Sequence, residues 1–210
     1  MKLKVCGMKY LENIQEVAAL QPAYLGFIFY EKSKRNFDGV IPELSNTIKK
    51  VGVFVNESIE NIKTKVSEYE LSAIQLHGDE SVDYVLKLKQ ALNAQIEIIK
   101  VFGIKDQFDF EIVQPYEEVV DFFLFDTKGK ERGGNGITFD WTVLKNYSST
   151  KPFFLSGGIG LEEVKEIQEM SKTNLPIYAL DVNSQFEIKA GLKSVENIEK
   201  FKNEINISTN

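Results

Sequence analysis

Residues 51–92 read VGVFVNESIENIKTKVSEYELSAIQLHGDESVDYVLKLKQAL. Val51 to Val55 is an apolar run broken only by Gly52, the mark of a strand buried on both faces. Ser58 then stands where an N-cap belongs, and Ile59, Ile62 and Val66 recur at helical spacing through Tyr69. Ser72 to Leu76 is a second short apolar run. Ser81 to Leu92 is a second amphipathic helix, with Val82, Val85, Leu86 and Leu88 on one face. Strand, helix, strand and helix follow one another with short connections, so the unit is β/α and the sheet is parallel.

The same alternation extends both ways. Upstream, Leu3 to Met8 and Tyr24 to Tyr30 read as strands, Asn13 to Leu20 as a helix, and Pro42 to Lys50 as a helix with proline favoured in its first turn. Downstream, strands are expected at Ile96 to Phe102, Phe122 to Phe125, Phe153 to Leu155 and Ile177 to Leu180. Helices are expected at Phe108 to Val120 (interrupted by Pro115), Thr138 to Leu144, Leu161 to Met170 and Val195 to Phe201. Eight units in 210 residues are about 26 residues each, toward the lower end for a (β/α)8 barrel. An open doubly wound sheet is the alternative. Against it, the first turn, Cys6-Gly7-Met8-Lys9, lacks the glycine-rich phosphate fingerprint. The expectation is a single TIM-barrel domain over residues 1–205 and a polar tail over 206–210.

Composition agrees with a globular chain: 43% of residues are hydrophobic, 27% are charged, and the net charge is -6. Acidic balance without a basic cluster argues against nucleic acid and anionic membranes as partners. One cysteine and one histidine exclude an internal disulfide and argue against a metal site built on Cys or His. No apolar run is long enough to span a bilayer. Met1-Lys2-Leu3-Lys4 leads directly into Val5-Cys6-Gly7 with no signal-peptide stretch, so the expected location is the cytoplasm, with a reduced thiol.

In a barrel the chemistry lies at the C-terminal ends of the strands. Those ends carry Cys6, Arg35 in the loop after strand two, Gln75 and His77, Asp126, Gly157-Gly158, and Asp181-Val182-Asn183-Ser184. Each has a plain reading beside a functional one. Gly157-Gly158 is a turn, or a backbone cradle for an anion aided by the following helix N-terminus. The loops after strands seven and eight often hold phosphate in this fold, which favours the cradle, with Asn183 and Ser184 adding donors. Cys6 is a small core hydrophobe, or a thiolate that acts as base or nucleophile. Asp126 caps a loop, or works opposite Cys6 in proton transfer across a bound sugar. Arg35 is a solvated surface charge, or a fork for a carboxylate. His77 is packed and satisfied, or positions a ligand. Gly133-Gly134-Asn135-Gly136 is by itself a solvated loop, with closure over a ligand as the other reading.

Several short pieces, in order, resemble the phosphoribosylanthranilate isomerase family of tryptophan biosynthesis. They are Lys4-Val5-Cys6-Gly7-Met8, Leu25-Gly26-Phe27-Ile28-Phe29, Ser33-Lys34-Arg35, Val51 to Asn56, Gln75-Leu76-His77-Gly78-Asp79-Glu80, Phe125-Asp126, Gly133 to Gly136 with Phe139-Asp140-Trp141, Leu155-Ser156-Gly157-Gly158, and Asp181 to Ser184. The resemblance implies an Amadori rearrangement of N-(5-phosphoribosyl)anthranilate to 1-(2-carboxyphenylamino)-1-deoxyribulose 5-phosphate, with no cofactor and no metal. By motif position it implies Asp126 as general acid and Cys6 as general base. Arg35 would pair with the anthranilate carboxylate. Gln75, His77 and Asp181 would line the substrate, Asp181 near the anthranilate amine. Gly157, Gly158, Asn183 and Ser184 would hold the phosphate.

Three places depart from the family pattern. Asn135 stands where threonine is usual. Gln185-Phe186-Glu187 replaces Gly-Val-Glu, so a residue tolerant of positive φ is lost beside the expected phosphate loop. Lys189 to Ser194 lacks the usual proline and final aspartate. Two other readings stand beside it: the related aminoimidazole carboxamide ribotide isomerase of histidine biosynthesis, and a non-catalytic phosphosugar-binding barrel. Cys6 argues against the first, because that family carries aspartate there. Intact Cys6, Arg35 and Asp126 argue against the second. The expected partner is a small phosphosugar-anthranilate, and the chain is a monomer or a homodimer.

Overall fold

The structure, a computed structural model, describes residues 1–104, 107–127 and 141–206. The Gly133–Gly136 loop, Phe139-Asp140 and the tail from 207 lie outside the described residues. Eight parallel strands close into a barrel in sequence order: β1 (Lys2–Val5), β2 (Tyr24–Ile28), β3 (Lys49–Phe54), β4 (Ala73–Leu76), β5 (Glu97–Ile104), β6 (Phe122–Thr127), β7 (Phe153–Leu155) and β8 (Ile177–Val182). Closure is the pairing of β1 with β8, which sets Lys4 opposite Asp181. Helices α1 (Leu11–Ala19), α2 (Ile59–Tyr69), α3 (Val82–Ala91), α4 (Val164–Met170) and α5 (Val195–Glu204) lie between or after the strands.

The strand pleat divides the core in two. Leu3, Leu25, Phe54, Leu76, Phe123, Phe153 and Leu180 belong to one large cluster together with helix residues such as Ile14, Ile62, Val85, Ile167 and Ile198. Their neighbours Tyr24, Val51, Ala73, Ile99, Leu124, Phe154 and Ala179 form a second, separate cluster. Successive residues of a strand point to opposite faces, so the first cluster is the sheet–helix interface and the second fills the barrel. This two-sided burial is why the strands read as unbroken apolar runs.

Five local expectations change. No helix forms over Pro42 to Lys50; the segment is a turn and then the start of β3. Ser45 explains it: its hydroxyl accepts from the Thr47 amide at 3.3 Å, and its carbonyl accepts from Ile48 at 2.9 Å. Such side-chain bonds compete with helix formation. Phe108 to Val120 forms only a 3-10 turn, Phe110–Tyr116, which holds Pro115. The described end of the expected helix Thr138 to Leu144 likewise falls in a 3-10 turn, Trp141–Asn146. Helix α4 starts at Val164 rather than Leu161. After β8 the chain adds an unexpected antiparallel hairpin, β9 (Glu187–Lys189) with β10 (Leu192–Lys193), turned at Gly191 with φ +84°.

Candidate active site

On four strands the inward positions end in polar or reactive groups. On β6 they run Phe122, Leu124, Asp126; on β4, Ala73, Gln75, His77; on β8, Ala179, Asp181, Asn183; on β1, Lys2, Lys4, Cys6. A layer of buried polar groups therefore caps the apolar filling, where this fold puts its chemistry.

Lys4 is the hub of one side. It is fully buried, and a buried ammonium needs partners. Its Nζ donates to Asp181 Oδ1 at 2.8 Å on the adjacent strand and to Gln75 Oε1 at 2.7 Å from β4. Burial works to lower the lysine, but Asp181 and Cys6 outweigh it and hold Lys4 above the usual range. Burial pushes Asp181 up, against the pull of Lys4. Cys6 stands two residues after Lys4 and is buried. Its thiol has room because residue 26 is glycine: a Cβ there would lie 2.8 Å from Sγ. Burial pushes the Cys6 thiol up; Lys4 and Lys193 oppose this, and Asp181 adds to it. Lys4 and Lys193 are thus placed to favour the thiolate once it forms.

On the other side, Gln75 Nε2 lies 3.1 Å from His77 Nδ1. His77 Nε2 lies 3.5 Å from Asp126 Oδ2. Glu80 secures the end of β4: its carboxylate accepts from the amides of Asn56 and Gly78 and from buried Lys100 at 2.9 Å.

Arg35 reaches this layer from the loop after β2. Its Nε and Nη2 donate to the two oxygens of Glu187 at 2.8 and 2.7 Å. Glu187 also accepts from the Gly191 amide at 2.9 Å and from Lys193 Nζ at 2.8 Å. Lys193 in turn donates to Asn183 Oδ1 at 2.6 Å. Burial works to raise Glu187, and Arg35 and Lys193 outweigh it and hold the carboxyl below its usual value. Burial lowers Lys193, with Glu187 opposing. A Cβ on Gly7 would meet Arg35 Cδ at 2.8 Å and Asn183 Oδ1 at 2.9 Å, so the loops after β1, β2 and β8 converge here.

Gly157 and Gly158 have φ of +93° and +70°, conformations that glycine adopts without steric cost. The helix N-terminus expected beside them is displaced, and the Gly160 amide is taken by Glu163 Oε2 at 2.8 Å. An anion cradle there would rest on loop backbone instead. Gln185 lies in a 3-10 turn, Ser184–Phe186, and is not among the residues with positive φ. The departure from glycine therefore needs no left-handed backbone. Phe186 anchors that turn against Phe201, ring centroids 5.0 Å apart.

The expected residues Cys6, Gln75, His77, Asp126 and Asp181 thus share one layer, with Arg35 and Asn183 at its rim. Sequence reading missed the roles of Lys4, Glu187 and Lys193. For Lys4 a signal existed: two residues before Cys6 on a strand is the same face. Glu187 and Lys193 carried none, because the hairpin that presents them was not expected.

A closed eight-stranded barrel with ionisable groups gathered at the C-terminal strand ends is the form of a (β/α)8-barrel enzyme. A family model described as N-(5'phosphoribosyl)anthranilate (PRA) isomerase matches residues 3–204. The N-(5'-phosphoribosyl)anthranilate isomerase of Parabacteroides distasonis is 43% identical, covering 96% of this chain and 91% of that one. That of Phocaeicola vulgatus is 38% identical, covering 98% of each. Among solved structures, the phosphoribosyl anthranilate isomerase of Thermotoga maritima superposes with a TM-score of 0.84 at 32% identity over 98% of each chain. Another, at 29% identity, TM-score 0.80 and 98% coverage of each chain, is in complex with reduced 1-(o-carboxyphenylamino)-1-deoxyribulose 5-phosphate. The chain belongs to the N-(5'-phosphoribosyl)anthranilate isomerase family, and it is an isomerase.

Proposed function

We propose that the chain converts N-(5'-phosphoribosyl)anthranilate to 1-(2-carboxyphenylamino)-1-deoxyribulose 5-phosphate in tryptophan biosynthesis, with Asp126 as general acid and Cys6 as general base. The observation that carries this is the placement of Asp126 on β6 and Cys6 after β1 in one buried polar layer, in a chain of this isomerase family. An acid and a base that act on different atoms of one sugar must approach it from different sides.

Asp126 gives its proton to the furanose ring oxygen as the C1–O bond breaks, and the nitrogen lone pair forms the C1=N bond of a Schiff base. Cys6, as thiolate, takes the proton from C2. The C2–H electron pair becomes C1=C2, and the C1=N pair returns to nitrogen. The enolamine then loses its O2 proton, gains one at C1, and becomes the ketone. Atoms and electrons balance within the substrate, so this route calls for no external oxidant or reductant.

Arg35 binds the anthranilate carboxylate. Of its five N–H donors, Glu187 takes two, which leaves three for the ligand. Asp181 faces the amine side beside Lys4. Gly157, Gly158 and Ser184 receive the phosphate. Asn183 turns its carbonyl oxygen to Lys193, and its amide is free of that contact.

The test is turnover of freshly generated phosphoribosylanthranilate, followed by loss of anthranilate-type fluorescence. The wild type consumes it; Cys6→Ala and Asp126→Asn do so about 10²- to 10⁴-fold more slowly. Near-wild-type turnover in either variant sinks that residue's role. A wild type that binds the reduced product analogue without turnover would mark a retired catalyst.

A further inference from the structure

The contacts between Lys4 and Asp126 form a chain whose direction can be read from donors and acceptors alone. An ammonium has only donors. Lys4 Nζ lies 2.7 Å from one terminal atom of the Gln75 amide, so that atom is the oxygen. A flipped amide would set donor against donor in a buried site. The other terminal atom, the NH2 nitrogen, therefore faces His77 Nδ1 at 3.1 Å. It can only donate, so Nδ1 must offer a lone pair. The hydrogen bond made by one ring nitrogen sets the state of the other: the neutral ring carries its proton on Nε2. That nitrogen is the one 3.5 Å from Asp126 Oδ2. Catalytic contacts are often this long in a ligand-free site and tighten in the substrate complex.

We propose that Gln75, clamped by Lys4, is a positioning residue that fixes His77 as the Nε2–H tautomer, so that His77 donates to one oxygen of Asp126 and leaves the other to meet the substrate. The step from tautomer to catalysis rests on the reading of Asp126 as general acid. An acid that protonates a ring oxygen must carry its proton on the oxygen facing the sugar. A fixed donor at Oδ2 assigns Oδ1 to that task. The opposite tautomer would present a lone pair to Oδ2 and draw the acidic proton toward the ring. Lys4 thus serves both halves of the site: it stands beside Cys6 on β1 and, through β4, sets the donor that faces the acid.

The chain contains one histidine, so the two ring nitrogens can be read directly in the 15N-labelled full-length protein. In mildly alkaline buffer the wild type shows a protonated, pyrrole-like Nε2 and a pyridine-like Nδ1. Gln75→Glu retains a partner for Lys4 but can only accept from the ring, so Nδ1 gains a proton. In that variant kcat falls roughly tenfold or more, a part of what general acid catalysis contributes, while KM changes little. Gln75→Met removes the polar partner at similar volume and leaves a mixture of tautomers; it serves if Gln75→Glu does not fold. A wild-type ring protonated on Nδ1 overturns the proposal. So does a Gln75→Glu protein that keeps the Nε2–H tautomer, or one that changes tautomer with kcat intact. Asp126→Asn separates the two readings: undiminished turnover there removes the acid assignment, while the tautomer result stands or falls on the spectrum alone.

Discussion

The lower and upper halves of the barrel interior are built on the same strands and do opposite things. The lower half is filled by Tyr24, Val51, Ile99, Phe122, Leu124 and Phe154, with Tyr24 edge-on to Phe154 at 5.3 Å and Phe122 edge-on to Phe154 at 5.4 Å. The upper half holds Lys4, Gln75, His77, Asp126 and Asp181. One pleat repeat, two residues along β6, separates Leu124 from Asp126. The lower layer gains from burial. The upper layer bears the desolvation cost of buried charge, offset only by its mutual pairing. Stability and chemistry are thus separated by height in the barrel.

The largest effects that test this separation are in the upper layer. Asp126→Asn and Cys6→Ala each lower kcat by about 10²- to 10⁴-fold, while urea unfolding curves stay close to wild type. The matching change below is Phe154→Ala. It removes a fully buried ring and costs about 3–5 kcal/mol in urea unfolding, with kcat per folded molecule nearly unchanged. A Phe154→Ala protein as stable as wild type, or an Asp126→Asn protein that unfolds much earlier, would break the division.

Two smaller effects sharpen the upper layer. Burial pushes the Cys6 thiol up, and a base must be ionised. The reaction also needs Asp126 protonated, and thiolate with carboxylic acid holds as many protons as thiol with carboxylate, so kcat/KM does not climb through the thiol range and falls only above it. A kcat/KM that rises tenfold per pH unit through the thiol range would contradict this. Glu187→Gln weakens the bidentate clamp on Arg35. It raises KM about tenfold, the equivalent of about 1.4 kcal/mol, with a lesser change in kcat. The smallest effect lies outside the barrel. Ser58 caps α2 by accepting from the Asn61 amide at 3.2 Å, and Ser58→Ala costs about 1 kcal/mol of stability with turnover intact.

Much of this is legible in the sequence. The eight strands fall where apolar runs stand in the sequence, because a strand buried on both faces leaves an unbroken signal. The polar residues ending those runs mark the site. The helix expected at Pro42 to Lys50 failed because a serine hydroxyl bonds its own backbone there, a competition that apolar spacing does not register. The hairpin Glu187–Lys193 was missed because its short strands carry little periodic signal, Glu187-Ile188-Lys189 being half-buried to exposed.

The sequence by itself determined the order of strands, the barrel, the family and the cluster of reactive residues at the strand ends. These follow from local patterns of a few residues each. Only the tertiary structure decided which of them touch. Lys4 meets Gln75 across a separation of 71 residues and Asp181 across 177, and Arg35 meets Glu187 across 152. The first two are set by barrel closure and register and the third by how the loop after β2 meets the hairpin after β8, none of which a single segment encodes.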